Sequence, residues 1–115
     1  MAFNEFELKK FEKAIKGFLD RKRPPPHIRK QLDLCYRLKG QSVEIFEIRP
    51  RWDDPNQLTE NPIAKATYVR RQGIWKIYWQ RADLKWHSYE PHPKVIELDE
   101  FLKVVESDEY ACFFG

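Results

Sequence analysis

Glycine, cysteine and methionine are scarce in this chain: four, two and one among 115 residues. The four glycines stand singly, so no glycine-rich loop exists to cradle a nucleotide phosphate, and they read as turn or helix-end residues. His27, His87, His92, Cys35 and Cys112 show no paired ligand spacing, which excludes the common structural zinc patterns. Cys35 falls in mid-strand and Cys112 in an apolar tail, where both read as reduced packing residues. A Cys–His nucleophile pair would require the fold to bring two of these residues together. No apolar run approaches the roughly 20 residues that span a bilayer. The N-terminus has no signal-peptide pattern. The expectation is a cytoplasmic protein with no membrane segment, no metal and no cofactor.

What the chain does have is aromatic content and charge. Hydrophobic residues make up 42% and aromatic residues 15%, enough to bury a real core, while a 34% charged fraction covers a soluble surface. The length predicts a single domain over residues 1–115. Net charge is only +3, but residues 1–51 carry 13 basic and 7 acidic side chains, and residues 90–115 carry 2 basic and 7 acidic ones. Opposite excesses at the two ends predict that they attract each other in the fold.

The pattern is densest from Ile63 to Tyr89, which holds three of the four tryptophans. Ile63–Arg71 and Ile74–Gln80 are rich in β-branched and aromatic residues, with Gln72-Gly73 between them as a two-residue hairpin loop. That register sets Arg71 opposite Ile74, Arg70 opposite Trp75, Tyr68 opposite Ile77 and Ala66 opposite Trp79. Ala64, Ala66, Tyr68, Trp75, Ile77 and Trp79 then share an inner face, small beside large. A loop over Arg81–Leu84 leads to a third strand, Lys85–Tyr89, with Trp86 beside Trp79. The opposite face collects Lys65, Thr67, Arg71, Lys76, Tyr78, Gln80, Lys85, His87 and Tyr89.

Upstream, Asn4 and Glu7 fit a capping box. Leu8, Phe11, Ile15, Phe18 and Leu19 recur at helical spacing, predicting a helix from Glu5 to about Arg21 that Pro24-Pro25-Pro26 stops. Leu32, Leu34, Tyr36 and Leu38 alternate with Asp33, Cys35, Arg37 and Lys39, as in a half-buried strand. Gly40-Gln41 turns it into Ser42–Ile48, setting Leu38 opposite Val43 and Arg37 opposite Glu44. Phe46 and Ile48 break the alternation, which calls for a bulge or a covered outer face. Pro50–Pro62 reads as a loop, and Trp52 within it needs something to cover it. Pro91 and Pro93 mark another loop. Leu98, Phe101, Leu102 and Val105 stripe a second helix starting near Asp99, and the apolar tail Tyr110–Gly115 should dock on the body or on a partner. The result is α+β: an N-terminal helix, five antiparallel strands as a hairpin and a three-stranded meander, and a C-terminal helix. Both helices belong on one face, unless Phe46 and Ile48 draw one to each face.

At RADLKWHSYEPHP, Arg81–Pro93, and at CFFG, Cys112–Gly115, the chain resembles a family of small bacterial proteins, domain of unknown function three-thousand-and-twenty-four. The resemblance runs from the first helix to Gly115. It implies a bacterial source; the family has no assigned activity, and no catalytic residue carries over.

The residues themselves favour a non-enzymatic binding module. Lys65, Arg71, Lys76 and Lys85 surround Tyr78, His87 and Tyr89, and cations beside aromatic platforms suit nucleic acid or another anionic ligand. The bland alternative is a solvated sheet face with ordinary cross-strand pairs. A second reading is a protein-interaction module or homodimer that uses a sheet edge or the tail. A remote third is a metal-dependent nuclease built on Asp83 and Lys85, with Asp53, Asp54 or Glu44 as the second acid. An apolar pocket among Trp75, Trp79 and Trp86 competes with a plain core for the same residues.

Overall fold

A computed structural model describes residues 3–114. The elements are α1 (Glu5–Lys22), β1 (Asp33–Lys39), β2 (Ser42–Pro50), β3 (Leu58–Val69), β4 (Ile74–Gln80), β5 (Trp86–Ser88), β6 (Lys94–Val95) and α2 (Leu98–Ser107). The first five strands lie antiparallel in chain order, and the two-residue β6 joins β4 on the same edge as β5. Both helices cover one face. Phe11, Ile15 and Phe18 of α1 and Phe101, Leu102 and Val105 of α2 form one cluster with Val43, Ile45, Ala64, Ala66, Trp75 and Ile77.

Local chemistry explains the helix limits. The Asn4 carboxamide oxygen accepts the Glu7 N–H at 2.8 Å, and the Glu7 carboxylate accepts the Asn4 N–H at 3.0 Å. Glu7 also takes the Arg70 guanidinium through two 3.0 Å bonds, which pins the start of α1 to the β3–β4 turn. At the other end the Arg23 fork grips Asp33 at 2.7 and 2.8 Å, fixing the exit of α1 against the start of β1. The basic and acidic ends do meet: Arg21 lies 3.1 Å from Glu106 and Lys10 lies 3.9 Å from Glu97.

The first hairpin has the expected register, Leu38 opposite Val43 and Arg37 opposite Glu44, with Gly40 at φ 59°. The second differs by two residues. Arg70–Gly73 form a four-residue turn in which the Val69 carbonyl accepts both the Gln72 and the Gly73 N–H, and Gly73 sits at φ 65°. Tyr68 therefore faces Trp75 and Ala66 faces Ile77. A shift of two keeps every side chain on its expected face, because strand alternation has period two. Trp75 is enclosed by Phe3, Phe11 and Tyr68, with ring centroids 5.0–5.7 Å away.

The broken alternation of β2 is a bulge. Ile45 faces Ala64 and Phe46 faces Pro62, leaving Ile63 as the extra residue, turned into the core. Pro62, expected in a loop, lies within β3 at that irregularity, where a missing N–H is tolerated. Phe46 stays on the outer face and is buried beneath the Arg37 guanidinium, 4.3 Å from its ring centroid. The loop itself is shorter than expected, 51–57, and Trp52 within it is uncovered.

The third strand of the meander is corrected by one residue. Gln80 pairs with Trp86 and Trp79 with His87, so the connecting loop is Arg81–Lys85, with Leu84 at φ 62°. A slip of one exchanges the two faces. Trp86 moves outward, while His87 moves to the Trp79 side. Tyr89 turns inward and is 1% exposed.

The tail docks on the body as far as Phe114; Gly115 lies outside the described residues. Asp108, left-handed at φ 41°, ends α2, and its carboxylate accepts the N–H groups of Phe113 and Phe114 at 3.0 and 2.9 Å. Phe113 is buried with its ring 4.8 Å from Tyr89.

Candidate functional site

The helices leave the second face of the sheet uncovered, and the strand registers lay out its side chains in rows. One row runs Lys39, Ser42, Thr67, Lys76, Lys94 across β1, β2, β3, β4 and β6. The next runs Arg37, Glu44, Lys65, Tyr78, Ser88. Gln80 and Trp86 continue the face at the far end. The Ser42 and Thr67 hydroxyls bond each other at 2.8 Å in the middle of the lysine row.

Charge on this face is unbalanced. Arg37 reaches both acids, Glu44 at 3.7 Å and Glu60 at 2.6 Å, and its own pKa is raised first by the bond to Glu60. Among the described residues, Lys39, Lys65, Lys76 and Lys94 meet no carboxylate at ion-pair distance. The Lys65 ammonium instead lies over two rings, 5.2 Å from the Tyr78 centroid and 5.0 Å from that of Trp86. Each cation–π contact of this half-exposed kind contributes about 0.5–1 kcal/mol.

Of the seven residues predicted for this site, Lys65, Lys76 and Tyr78 lie together on the open face. Arg71 does not, because the four-residue turn carries it beyond the end of the strands. Lys85 is exposed in the loop before β5 rather than in a strand. His87 faces the Trp79 side, where its Nε2 lies 2.9 Å from the Asp83 carboxylate. Tyr89 belongs to the core; burial raises its pKa. The site also gains three residues. Lys39 was legible as an outward residue of its strand. Lys94 sits in a two-residue strand behind prolines, which no pattern announces. Trp86 arrives through the one-residue slip.

The acids proposed for metal chemistry are engaged in their own loops. Asp83 accepts the Lys85 N–H at 2.9 Å as well as contacting His87, and these bonds, in that order, lower its pKa. Asp53 holds Arg51 through two bonds, and Asp54 accepts the Asn56 N–H. Among the described residues no three His, Cys, Asp or Glu side chains converge on a point. Cys35 and Cys112 are both free and half-buried, and burial pushes the Cys112 thiol up. Among the described residues no helix is long and apolar enough to cross a membrane.

No curated protein and no solved structure matches the chain. A family model does, over residues 3–115, spanning α1, the whole sheet with its lysine face, α2 and the tail. The chain belongs to the family described as Domain of unknown function (DUF3024).

Proposed function

We propose that this is a non-enzymatic cytoplasmic module of bacterial cells that binds single-stranded nucleic acid on its open sheet face. The observation that carries the reading is the set of four lysines that meet no carboxylate among the described residues, on the same open face as Tyr78 and Trp86 and with Lys65 over both rings. Stacking on such rings contributes about 1–3 kcal/mol per base, and lysines beside them meet the phosphates. Lys65 rests on the two rings. Its flexible stem lets it leave them for a phosphate at a cost of about 1–2 kcal/mol. Sequence readout is not part of the proposal: a lysine row is a set of point charges without the planar fork that reads a base edge.

Fluorescence anisotropy of a labelled twelve-nucleotide oligothymidylate tests the reading. If Lys39, Lys65, Lys76 and Lys94 each meet a phosphate, affinity falls about fifty-fold between about 50 and 200 mM salt, a log–log slope near −3. The double variant K76E/K94E should lose binding, and Trp86→Ala should weaken it about ten-fold or more without changing the salt slope. No binding at about 50 mM salt and millimolar protein removes the proposal.

A further inference from the structure

Trp52 is 96% exposed, and it is not on a loose loop. Beyond Ile48 and Glu60 the β2–β3 hairpin has no neighbouring strand among the described residues; Arg49 with Thr59 and Pro50 with Leu58 extend it as an arm past the sheet. At the tip, Arg51 grips Asp53 at 2.7 and 2.9 Å and the Gln57 carboxamide at 3.1 Å, while its N–H donates to the Gln57 carbonyl at 2.8 Å. Asp54 closes the turn through the Asn56 and Gln57 N–H groups. Leu58, also exposed, stands at the base of the tip. These bonds hold the backbone that carries the indole, so docking would order only the side chain of a residue type that commonly anchors interfaces.

The helix side of the molecule has a hollow. A groove of about 590 Å³ runs between α1 and α2, with Ala14, Gly17 and Leu102 at its floor. Its rim carries Lys13, Lys103 and Asp99, none of them at ion-pair distance from an opposite charge among the described residues, so one positive charge is left over. At the arm, Arg51 is neutralised by Asp53, which leaves Asp54 as the unbalanced charge. Small floor residues leave room for a ring, and the residual charges are opposite in sign.

We infer that the arm of one copy of this chain docks in the inter-helix groove of a second copy, Trp52 against Ala14 and Gly17 and Asp54 toward Lys13 and Lys103. The contact is heterologous, the arm of one copy in the groove of the next. One tryptophan covers about 150–250 Å², so such a contact falls well short of a standard interface of about 1,600 Å². The association is therefore weak and concentration-dependent, and it is independent of the nucleic-acid reading because it uses neither the lysine row nor Tyr78 and Trp86.

Sedimentation velocity of the full chain from about 20 µM to about 1 mM tests it, the range set by the small contact area. The weight-average sedimentation coefficient of the wild type should rise across that range. Trp52→Ala, which touches no core residue, should weaken association about thirty-fold or more. The exposed pair K13E/K103E should do the same at low salt. Mixing the two variants restores association, because one retains the groove and the other the arm. A monomeric wild type at 1 mM, an unaffected Trp52→Ala protein, or a mixture that stays monomeric would each overturn the inference.

Discussion

Removing the hydroxyl of Tyr89 should stabilise this protein. The ring is wholly buried against Phe113 and His92, with centroids 4.8 and 6.4 Å away, and its hydroxyl meets no donor or acceptor among the described residues. A buried hydroxyl left without a partner costs about 1–3 kcal/mol. Tyr89→Phe deletes that penalty and leaves a void of about 10 Å³, worth only about 0.2 kcal/mol at about 24 cal/mol per Å³. The net expectation is a gain of about 1 kcal/mol, or about 4 °C in Tm for a chain of this size. Urea unfolding followed by tryptophan fluorescence, with calorimetry beside it, reads both quantities. The alkaline limb adds a second test. Burial raises the pKa of Tyr89 above its ordinary 10.0, so the folded state favours the neutral phenol. Stability is then intact below pH 10 and falls as the pH climbs through the raised value. The phenylalanine variant should lose less over that interval, keeping only the parallel contributions of Tyr36 and Cys112, both raised chiefly by burial. A variant destabilised by about 1 kcal/mol or more would refute the reasoning, for it would mean that the hydroxyl makes a hydrogen bond to enclosed water.

Three further expectations follow from the same structure. Gly73→Ala should destabilise by about 1–2 kcal/mol, since φ is 65° although the added Cβ meets nothing, while Gly17→Ala in α1 should stabilise by up to about 1 kcal/mol, its Cβ only touching Arg21 at 3.6 Å; chemical denaturation of the pair compares them directly. Asp33 and Glu7 have lowered pKa values, caused first by bonds from Arg23 and Arg70, so their contributions are present above the ordinary values of 3.8 and 4.5 and drain away as pH falls through the depressed ones; Asp33→Asn should flatten the acid limb of a Tm–pH profile. Phe113→Ala should cost about 3–5 kcal/mol and free the tail, seen as rapid amide exchange at Phe113 and Phe114; a loss under 1 kcal/mol would mean the tail contributes little to the core.

The two hairpin registers that differ from expectation are instructive because both come down to loop length. In the β1–β2 hairpin a glycine at a positive φ marks a two-residue turn, and the register reads off directly. In the β3–β4 hairpin the same residue type closes a four-residue turn instead. The even difference left the inner face intact and displaced only Arg71. Before β5 the loop takes five residues, with Leu84, not a glycine, in the left-handed region and Asp83 bonded to the Lys85 N–H. That odd difference exchanged Trp86 with His87 and moved Tyr89 from the candidate site into the core. Nothing in the letters Arg81–Lys85 states that a leucine will adopt φ 62°, because its strain is balanced by bonds formed elsewhere in the turn.

Composition and periodicity alone determined the order of helices and strands, the capping box at Asn4, the inward set Ala66, Trp75 and Ile77, and the outward lysines of β3 and β4. These follow from interactions a few residues apart, where sequence spacing is geometry. Tertiary structure decided which side Trp86 and Tyr89 take, how Ile63 is absorbed by a bulge, that Lys94 joins the lysine row, and that Trp52 stands uncovered at the tip of an arm. Each of those depends on how one strand meets another across the sheet, and cross-strand register is set by the whole packed core.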